Sequence, residues 1–177
     1  TGNVTNNNAL IFNRSDASSY AGDISGTGAV SQNGSGTFTL SGTNTYSGAT
    51  TVNAGTLSIN GSIANSTTTV NTSGTLGGTG TVGSVNVNGG IFAPGNSIGT
   101  SNVAGNIDFT GGGRYNVEVS AAGASDLINA TGSATLTSGV VNVQPEAGTY
   151  NNVTNYTILT AAGGLGGTTF GSVNSNP

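Results

Sequence analysis

One pattern occurs three times in this chain, as Val52-Asn53-Ala54-Gly55-Thr56-Leu57, as Val70-Asn71-Thr72-Ser73-Gly74-Thr75-Leu76 and as Val87-Asn88-Gly89-Gly90-Ile91-Phe92. In each copy a valine and an asparagine precede a glycine turn and an apolar residue, and the three valines follow one another at nearly equal intervals. A nearly fixed period of about 18 residues, built of short strands and small-residue turns, is typical of a solenoid of stacked β-coils. The repeats therefore predict an all-β rod rather than a globule built around a pocket.

The apolar residues of successive repeats are expected to stack inside the solenoid, because one coil is too small to bury its own apolar side chains. Apolar residues spaced about five to seven residues apart favour coils with three sides; these are Val52, Leu57, Ile63, Val70, Leu76, Val82, Val87 and Ile91. At roughly 18 to 20 residues a coil, the chain would hold about nine coils. The predicted core positions of the repeats are Val52, Leu57, Val70, Leu76, Val87 and Ile91.

The composition agrees with an all-β chain. Of 177 residues 32 are Gly and only 5% are charged, so the residues that build long helices are scarce. No apolar run approaches the roughly 18 residues that span a bilayer, and no signal peptide begins at Thr1. We expect a soluble segment of a longer secreted protein, which needs no Cys if a hydrogen-bonded ladder stabilises it.

The charges exclude several classes of function. The net charge is −4, and Arg14 and Arg114 are the only cations, so nothing can neutralise a row of phosphates and nucleic acid is not expected as a partner. Without His or Lys, catalytic sites of the Ser-His-Asp and Ser-Lys types are excluded. A carboxylate pair of Asp108 and Asp126, separated by one such period, is an alternative to acids that are solvated or cap turns. We expect no enzymatic activity, no small-molecule substrate, no cofactor and no metal.

The asparagines of the repeats have two interpretations. Asn53, Asn71 and Asn88 occupy equivalent positions and could stack as a ladder of amides. Alternatively, Asn is there because it tolerates the left-handed backbone conformation of a turn. The glycine at the next corner is expected to have a positive φ angle.

The pattern changes after residue 105. Longer alternating strands, five of the ten aromatic residues and the Pro145-Glu146 interruption lie beyond this point, which favours a hairpin-rich cap that closes the sheet edge. We therefore divide the chain into a stem, residues 1–105, and C-terminal coils with a cap, residues 106–177. The predicted cap residues are Phe109, Tyr115, Asp126, Tyr156 and Phe170.

Five motifs in order resemble the C-terminal passenger region of bacterial autotransporters, the type V secretion proteins. The resemblance covers most of residues 40–170, and the five together are far more specific than the first alone, which is a common passenger-associated repeat. The motifs are residues 40–57, Leu76-Gly77-Gly78-Thr79-Gly80-Thr81-Val82, Phe92-Ala93-Pro94-Gly95-Asn96-Ser97-Ile98-Gly99-Thr100, Ala124-Ser125-Asp126-Leu127-Ile128 and Tyr156-Thr157-Ile158-Leu159-Thr160-Ala161.

The resemblance implies a right-handed parallel β-helix that is exported through an outer-membrane β-barrel at the C-terminus of the same protein, beyond this chain. It places the chain at the cell surface of a Gram-negative bacterium, attached to the outer membrane or released from it. In such passengers the last coils often act as an autochaperone, which here corresponds to residues 106–170. Asp126, within one of the motifs, is expected to accept backbone N–H groups, with metal binding or catalysis as the alternative.

Two functions follow as hypotheses. The first is a structural stalk with a folding seed that assists translocation and folding of the passenger. The second is an adhesive surface, in which the polar flank of the rod associates with like copies or with host matrix through many weak contacts. A glycan-active enzyme is a third and weaker hypothesis, because the acids are sparse and no Trp platform exists.

Overall fold

The computed structural model describes residues 2–175, where all regular secondary structure is β-strand. In that part of the chain there is no helix that could reach across a membrane. The strands are β1 (Val4–Thr5), β2 (Ala9–Phe12), β3 (Ser18–Tyr20), β4 (Ile24–Ser25), β5 (Ala29–Gln32), β6 (Thr37–Leu40), β7 (Thr50–Ile59), β8 (Ser62–Ile63), β9 (Thr68–Gly78), β10 (Thr81–Val82), β11 (Val85–Asn88), β12 (Ile91–Pro94), β13 (Thr100–Val103), β14 (Ile107–Thr110), β15 (Arg114–Val119), β16 (Leu127–Ala130), β17 (Ala134–Thr135), β18 (Val140–Pro145), β19 (Leu159–Ala161) and β20 (Ser172–Ser175).

Equivalent strands of successive coils pair in parallel and form three ladders. The first ladder runs through β2, β5, β7, β9, β11, β14 and β17. The second runs through β3, β6, β7, β9, β12, β15, β18 and β20, so the long strands β7 and β9 turn a corner and belong to both ladders. The third is interrupted: β1 pairs with β4, and β8, β10, β13, β16 and β19 pair in succession as a separate sheet, which the coil between them meets through an isolated parallel bridge of Thr43 with Ser62. The prediction of an all-β parallel β-helix with three-sided coils is confirmed; its right-handed sense stays a prediction.

The coils lengthen toward the C-terminus. Along the first ladder, Thr50 pairs with Thr68 and Thr68 with Val85, whereas the pair of Ile107 with Ala134 encloses a much longer stretch of chain. On the second ladder the pair of Val140 with Ser172 encloses a longer stretch still. Because the later coils carry long excursions, the second ladder is eight strands deep in residues 2–175, not the nine that a constant period predicted.

Two columns of apolar side chains fill the interior beneath the repeats. In one, Val52, Val70, Val87 and Phe109 occupy successive coils in register. In the other, Leu57, Leu76, Phe92 and Tyr115 do the same. All of these side chains are buried, and full burial of such a side chain stabilises the fold by about 1.5 to 3 kcal/mol.

Ile91 is the one predicted repeat-core residue that the structure places elsewhere. Its side chain is only half-buried, and Phe92 takes the interior position above Leu76. Phe92 follows Val87 by five residues, as Leu57 follows Val52, whereas Ile91 follows it by four. The inward-facing position is therefore one residue later in the sequence than the apolar pattern suggested. In a strand, that single step moves a side chain to the opposite face.

The prediction of a hairpin-rich cap is wrong in its detail. Strand pairs from β14 to β20 are all parallel, and the ladders run on across residue 105. Antiparallel contact in residues 106–175 amounts to a single bridge between Val119 and Ser125, where the N–H of Ser120 donates to the carbonyl of Ala124 at 2.8 Å. The division at residue 105 stays a prediction, and residues 1, 176 and 177 of the predicted stem and cap lie outside the described residues.

Candidate functional site

The predicted cap residues lie in the last coils, residues 106–175, here named the C-terminal coils. Phe109, Tyr115 and Asp126 are buried, and Tyr156 and Phe170 are half-buried. They do not form one cluster. Phe109, Tyr115 and Phe170 form an aromatic group, whereas Asp126 and Tyr156 make hydrogen bonds to the backbone.

The aromatic group joins Phe109, Tyr115 and Phe170. The ring of Phe170 meets Phe109 edge-on, with centroids 5.4 Å apart and an interplanar angle of 68°, and lies 6.3 Å from Tyr115. The rings of Phe109 and Tyr115 are 6.4 Å apart. Such pairs add about 0.5 to 1.5 kcal/mol beyond the area that they bury. Phe170 therefore joins the segment before β20 to the core of the coil that contains β14 and β15, two coils earlier.

Three tyrosine hydroxyls bind the backbone of distant segments. Tyr115 donates to the carbonyl of Ile158 at 2.6 Å, across 43 residues, and Tyr156 donates to that of Ser120 at 2.8 Å. The hydroxyl of Tyr150, which sequence reasoning did not select, lies 2.9 Å from the carbonyl of Val119. Burial raises the pKa of Tyr115 far above its ordinary value, so its hydroxyl stays a hydrogen-bond donor over the physiological pH range.

Asp126 is a buried carboxylate that accepts two backbone N–H groups. One oxygen accepts from Gly99 and the other from Glu118, each at 2.8 Å, while the side chain is 1% exposed. Burial raises the pKa of Asp126 to about 6; the two hydrogen bonds lower it, and the nearby carboxylates of Glu118 and Glu146 raise it further. Asp126 thus ties two backbone segments that come from different coils.

The register gives no support to a carboxylate pair of Asp108 and Asp126. Asp108 lies on the first ladder between Asn86 and Thr135, whereas Asp126 faces the segment before β13. Within residues 2–175 no three metal-ligating side chains of the His, Cys, Asp and Glu types come together.

Asparagine side chains form a ladder on the exposed flank of the repeats. The amide of Asn53 donates to Asn33 at 2.8 Å, Asn71 donates to Asn53 at 2.8 Å, and Asn88 donates to Asn71 at 3.4 Å. The alternative explanation is wrong, since no residue other than Gly has a positive φ angle in the described part of the chain. The amides therefore stack from coil to coil.

The corner glycines divide into two kinds. Gly55 and Gly89 have φ angles of 59° and 72°, as expected for a tight turn. Gly74 does not have a positive φ, but a Cβ atom there would lie 2.3 Å from the carbonyl oxygen of Val52. Close approach of two coils, rather than backbone conformation, requires glycine at that position.

A second amide ladder was not predicted. Asn142 donates to Asn116 at 3.0 Å, and Asn174 donates to Asn142 at 3.2 Å. The pattern was present in the sequence, because these asparagines directly follow Tyr115, Val141 and Val173, which are in register with one another on the second ladder. The two coils that separate these asparagines differ in length, so the asparagines do not recur at a fixed interval in the sequence.

The family comparison finds one match. Residues 30–59 match the family model described as the passenger-associated-transport-repeat, and they span nearly all of β5, then β6 and β7. A search of curated proteins finds no protein that matches. On a parallel β-helix, this match supports an autotransporter passenger repeat in residues 30–59, and hence a passenger region of a secreted or surface-exposed protein.

Proposed function

We propose that this chain is a stem of an autotransporter passenger and that its C-terminal coils seed the folding of the coils before them at the cell surface. In this proposal the chain is a structural element and not an enzyme. Its partner during export is the outer-membrane barrel of the same protein.

The physical need for a seed follows from the architecture. A parallel coil gains its hydrogen bonds only when a neighbouring coil is already in place, so the first coil loses conformational entropy without that gain. A seed must therefore be held together by contacts other than the ladder. The C-terminal coils have such contacts.

The observation that carries the proposal is the set of side-chain ties in these coils. Tyr115, Tyr156 and Tyr150 bind backbone groups 43, 36 and 31 residues away within the C-terminal coils, in addition to the parallel ladder. In the repeats, by contrast, the amide ladder links residues 17 to 20 apart, one coil to the next. The long strands β15 and β18 also pair over their whole length, from Arg114 with Val140 to Val119 with Pro145. These features support independent ordering of the C-terminal coils.

Deletion in the full-length protein tests the proposal. Removal of residues 106–175 should leave a passenger that is exported poorly or stays sensitive to protease at the surface. The matched control removes residues 50–67, which is one coil in register because Thr50 pairs with Thr68, and should leave a shorter but folded rod. If the two deletion variants show equal surface display and equal protease resistance, the proposal that the C-terminal coils seed folding is contradicted.

One observation favours an adhesive surface as a second function. Residues 24–107 contain no charged side chain, and the first amide ladder lies on this stretch. Two such flanks, or a flank and a host matrix, could approach without repulsion and exchange hydrogen bonds. Replacing the outward-facing Thr51 and Thr69 by Lys should then abolish cell aggregation or matrix adhesion while export continues; unchanged adhesion would exclude this flank.

A further inference from the structure

We propose that residues 95–99, here named the clasp, relay the order of the C-terminal coils to the two coils that precede β12. This inference rests on the proposed seeding function and names the residues that would transmit it. The clasp connects β12 to β13 but does not follow the coil directly, because it folds back over the outer face of the second ladder.

The clasp begins with a glycine pair. Gly95 and Gly78 exchange both backbone hydrogen bonds, at 3.0 and 3.1 Å, as an antiparallel bridge at the end of the parallel pairing of β9 with β12. Gly95 has a φ angle of 84°, and a Cβ atom there would lie 1.9 Å from the carbonyl oxygen of Ser97. Only glycine permits this reversal of the chain.

Asn96 then reaches a coil further back. Its amide nitrogen donates to Oδ1 of Asn60 at 3.1 Å, and its Oδ1 lies 3.4 Å from the hydroxyl of Ser58. Ser58 stands between the inward-facing Leu57 and Ile59 and so points outward, yet it is only 7% exposed. This burial of an outward-facing side chain is explained by the clasp that covers it.

The far end of the clasp is held from the other direction. The N–H of Gly99 donates to Asp126, whose second oxygen accepts the N–H of Glu118 in β15. The clasp is therefore fixed by residues downstream of it and makes its own contacts with Gly78 and Asn60 upstream. Once the C-terminal coils are ordered, the backbone of Gly95 and the side-chain amide of Asn96 are held in place. The two preceding coils can then form hydrogen bonds with them.

The clasp also bounds a cleft of about 250 Å³ on this face. Its floor is formed by small outward-facing residues of earlier coils, among them Thr56 and Thr75, and its downstream end by Glu118 and Asp126. Small residues on the floor leave room for the clasp to lie close to the sheet. The proposal rests on the hydrogen bonds of the clasp and does not require a ligand in this cleft.

The test compares two asparagine variants in the full passenger by hydrogen exchange. Asn96→Ala removes the bond to Asn60 and the contact with Ser58, whereas the control Asn129→Ala likewise removes two side-chain bonds between adjacent coils, to Asn102 at 3.1 Å and from Thr160 at 2.9 Å. Asn96→Ala should speed exchange at residues 56–63 about fivefold, the factor for one ordinary hydrogen bond, and leave residues 140–145 unchanged. Asn129→Ala should leave residues 56–63 unchanged.

No acceleration at residues 56–63 in Asn96→Ala, or the same acceleration at residues 140–145, would overturn the clasp. Gly95→Ala is the stronger variant and should loosen residues 75–82 as well. Because Asn96→Ala leaves the ties among the C-terminal coils in place, this test is separate from the deletion of residues 106–175. If that deletion lowers surface display or protease resistance but Asn96→Ala exchanges like its control, the clasp proposal is wrong and the seeding proposal is still supported.

Discussion

Leu76→Ala should destabilise the stem more than any change on its surface. Leu76 is fully buried and lies in register between Leu57 and Phe92, so its removal opens a cavity inside a column that spans three coils. For a buried Leu→Ala change the expected loss in the free energy of unfolding is about 2 to 5 kcal/mol. The upper half of that range is expected here, because rigid coils on both sides restrict collapse into the cavity.

The control for this prediction is Ile91→Ala, in the next coil of the same ladder. Ile91 is half-buried on the outer face, so the loss should stay below about 1.5 kcal/mol. Urea unfolding followed by far-UV circular dichroism gives the free energies, and the slope of the transition should be unchanged in both variants. A cost for Ile91→Ala that equals the cost for Leu76→Ala would refute the assignment of Phe92, rather than Ile91, to the core.

Four further predictions follow from single contacts. The pKa of Asp126 in the fold, about 6, exceeds the unfolded value of about 3.9, so the folded state binds the extra proton between these values. The free energy of unfolding should therefore fall as the pH rises from 4 to 6, by at most about 3 kcal/mol, and Asp126→Asn should flatten this part of the urea-midpoint profile; an unaltered profile would exclude Asp126 as its source. Gly74→Ala, whose Cβ would meet the carbonyl of Val52 at 2.3 Å, should destabilise by about 1 to 3 kcal/mol in thermal unfolding, and a neutral result would show that the coils can separate there. Asn71→Ala breaks two ladder bonds, of 2.8 and 3.4 Å, and should lower the free energy of unfolding by about 1 kcal/mol; a larger loss would mean that the ladder carries more of the stability than its exposure allows. Tyr115→Phe removes one of the two donors to the carbonyl of Ile158, which keeps the N–H of Ile128 at 3.0 Å, and should accelerate protease cleavage within residues 146–158 before any loss of the repeats; simultaneous loss of both would argue against a local tie.

The regular part of this fold can be predicted from its sequence because the signal there is periodic. Val52 and Val70 occupy equivalent places in nearly identical repeats, and stacked coils need equivalent side chains at equivalent places. The prediction failed by one residue at Ile91, where two adjacent apolar residues compete and only the register of the neighbouring coil decides which faces inward.

The C-terminal coils and the clasp were less predictable for a different physical reason. Excursions of variable length destroy the period, so the pairing of Val140 with Ser172 leaves no sequence signal of its own. The contacts of Asn96 and Asp126 join a side chain to groups that only the stack brings near. A sequence motif can single out Asn96 and Asp126, but it does not predict which groups they form hydrogen bonds with.

The parallel stack itself, on which both the stem and the seed depend, is tested most directly by distances between spin labels. The chain has no Cys, so Asp108 can be labelled together with either Ser31 or Ile11, which lie on the same ladder four and five coils away. With strands about 4.8 Å apart, the account predicts separations of about 19 and 24 Å, increasing by one strand spacing per coil. Separations that are equal, or that do not increase with the number of intervening coils, would contradict it.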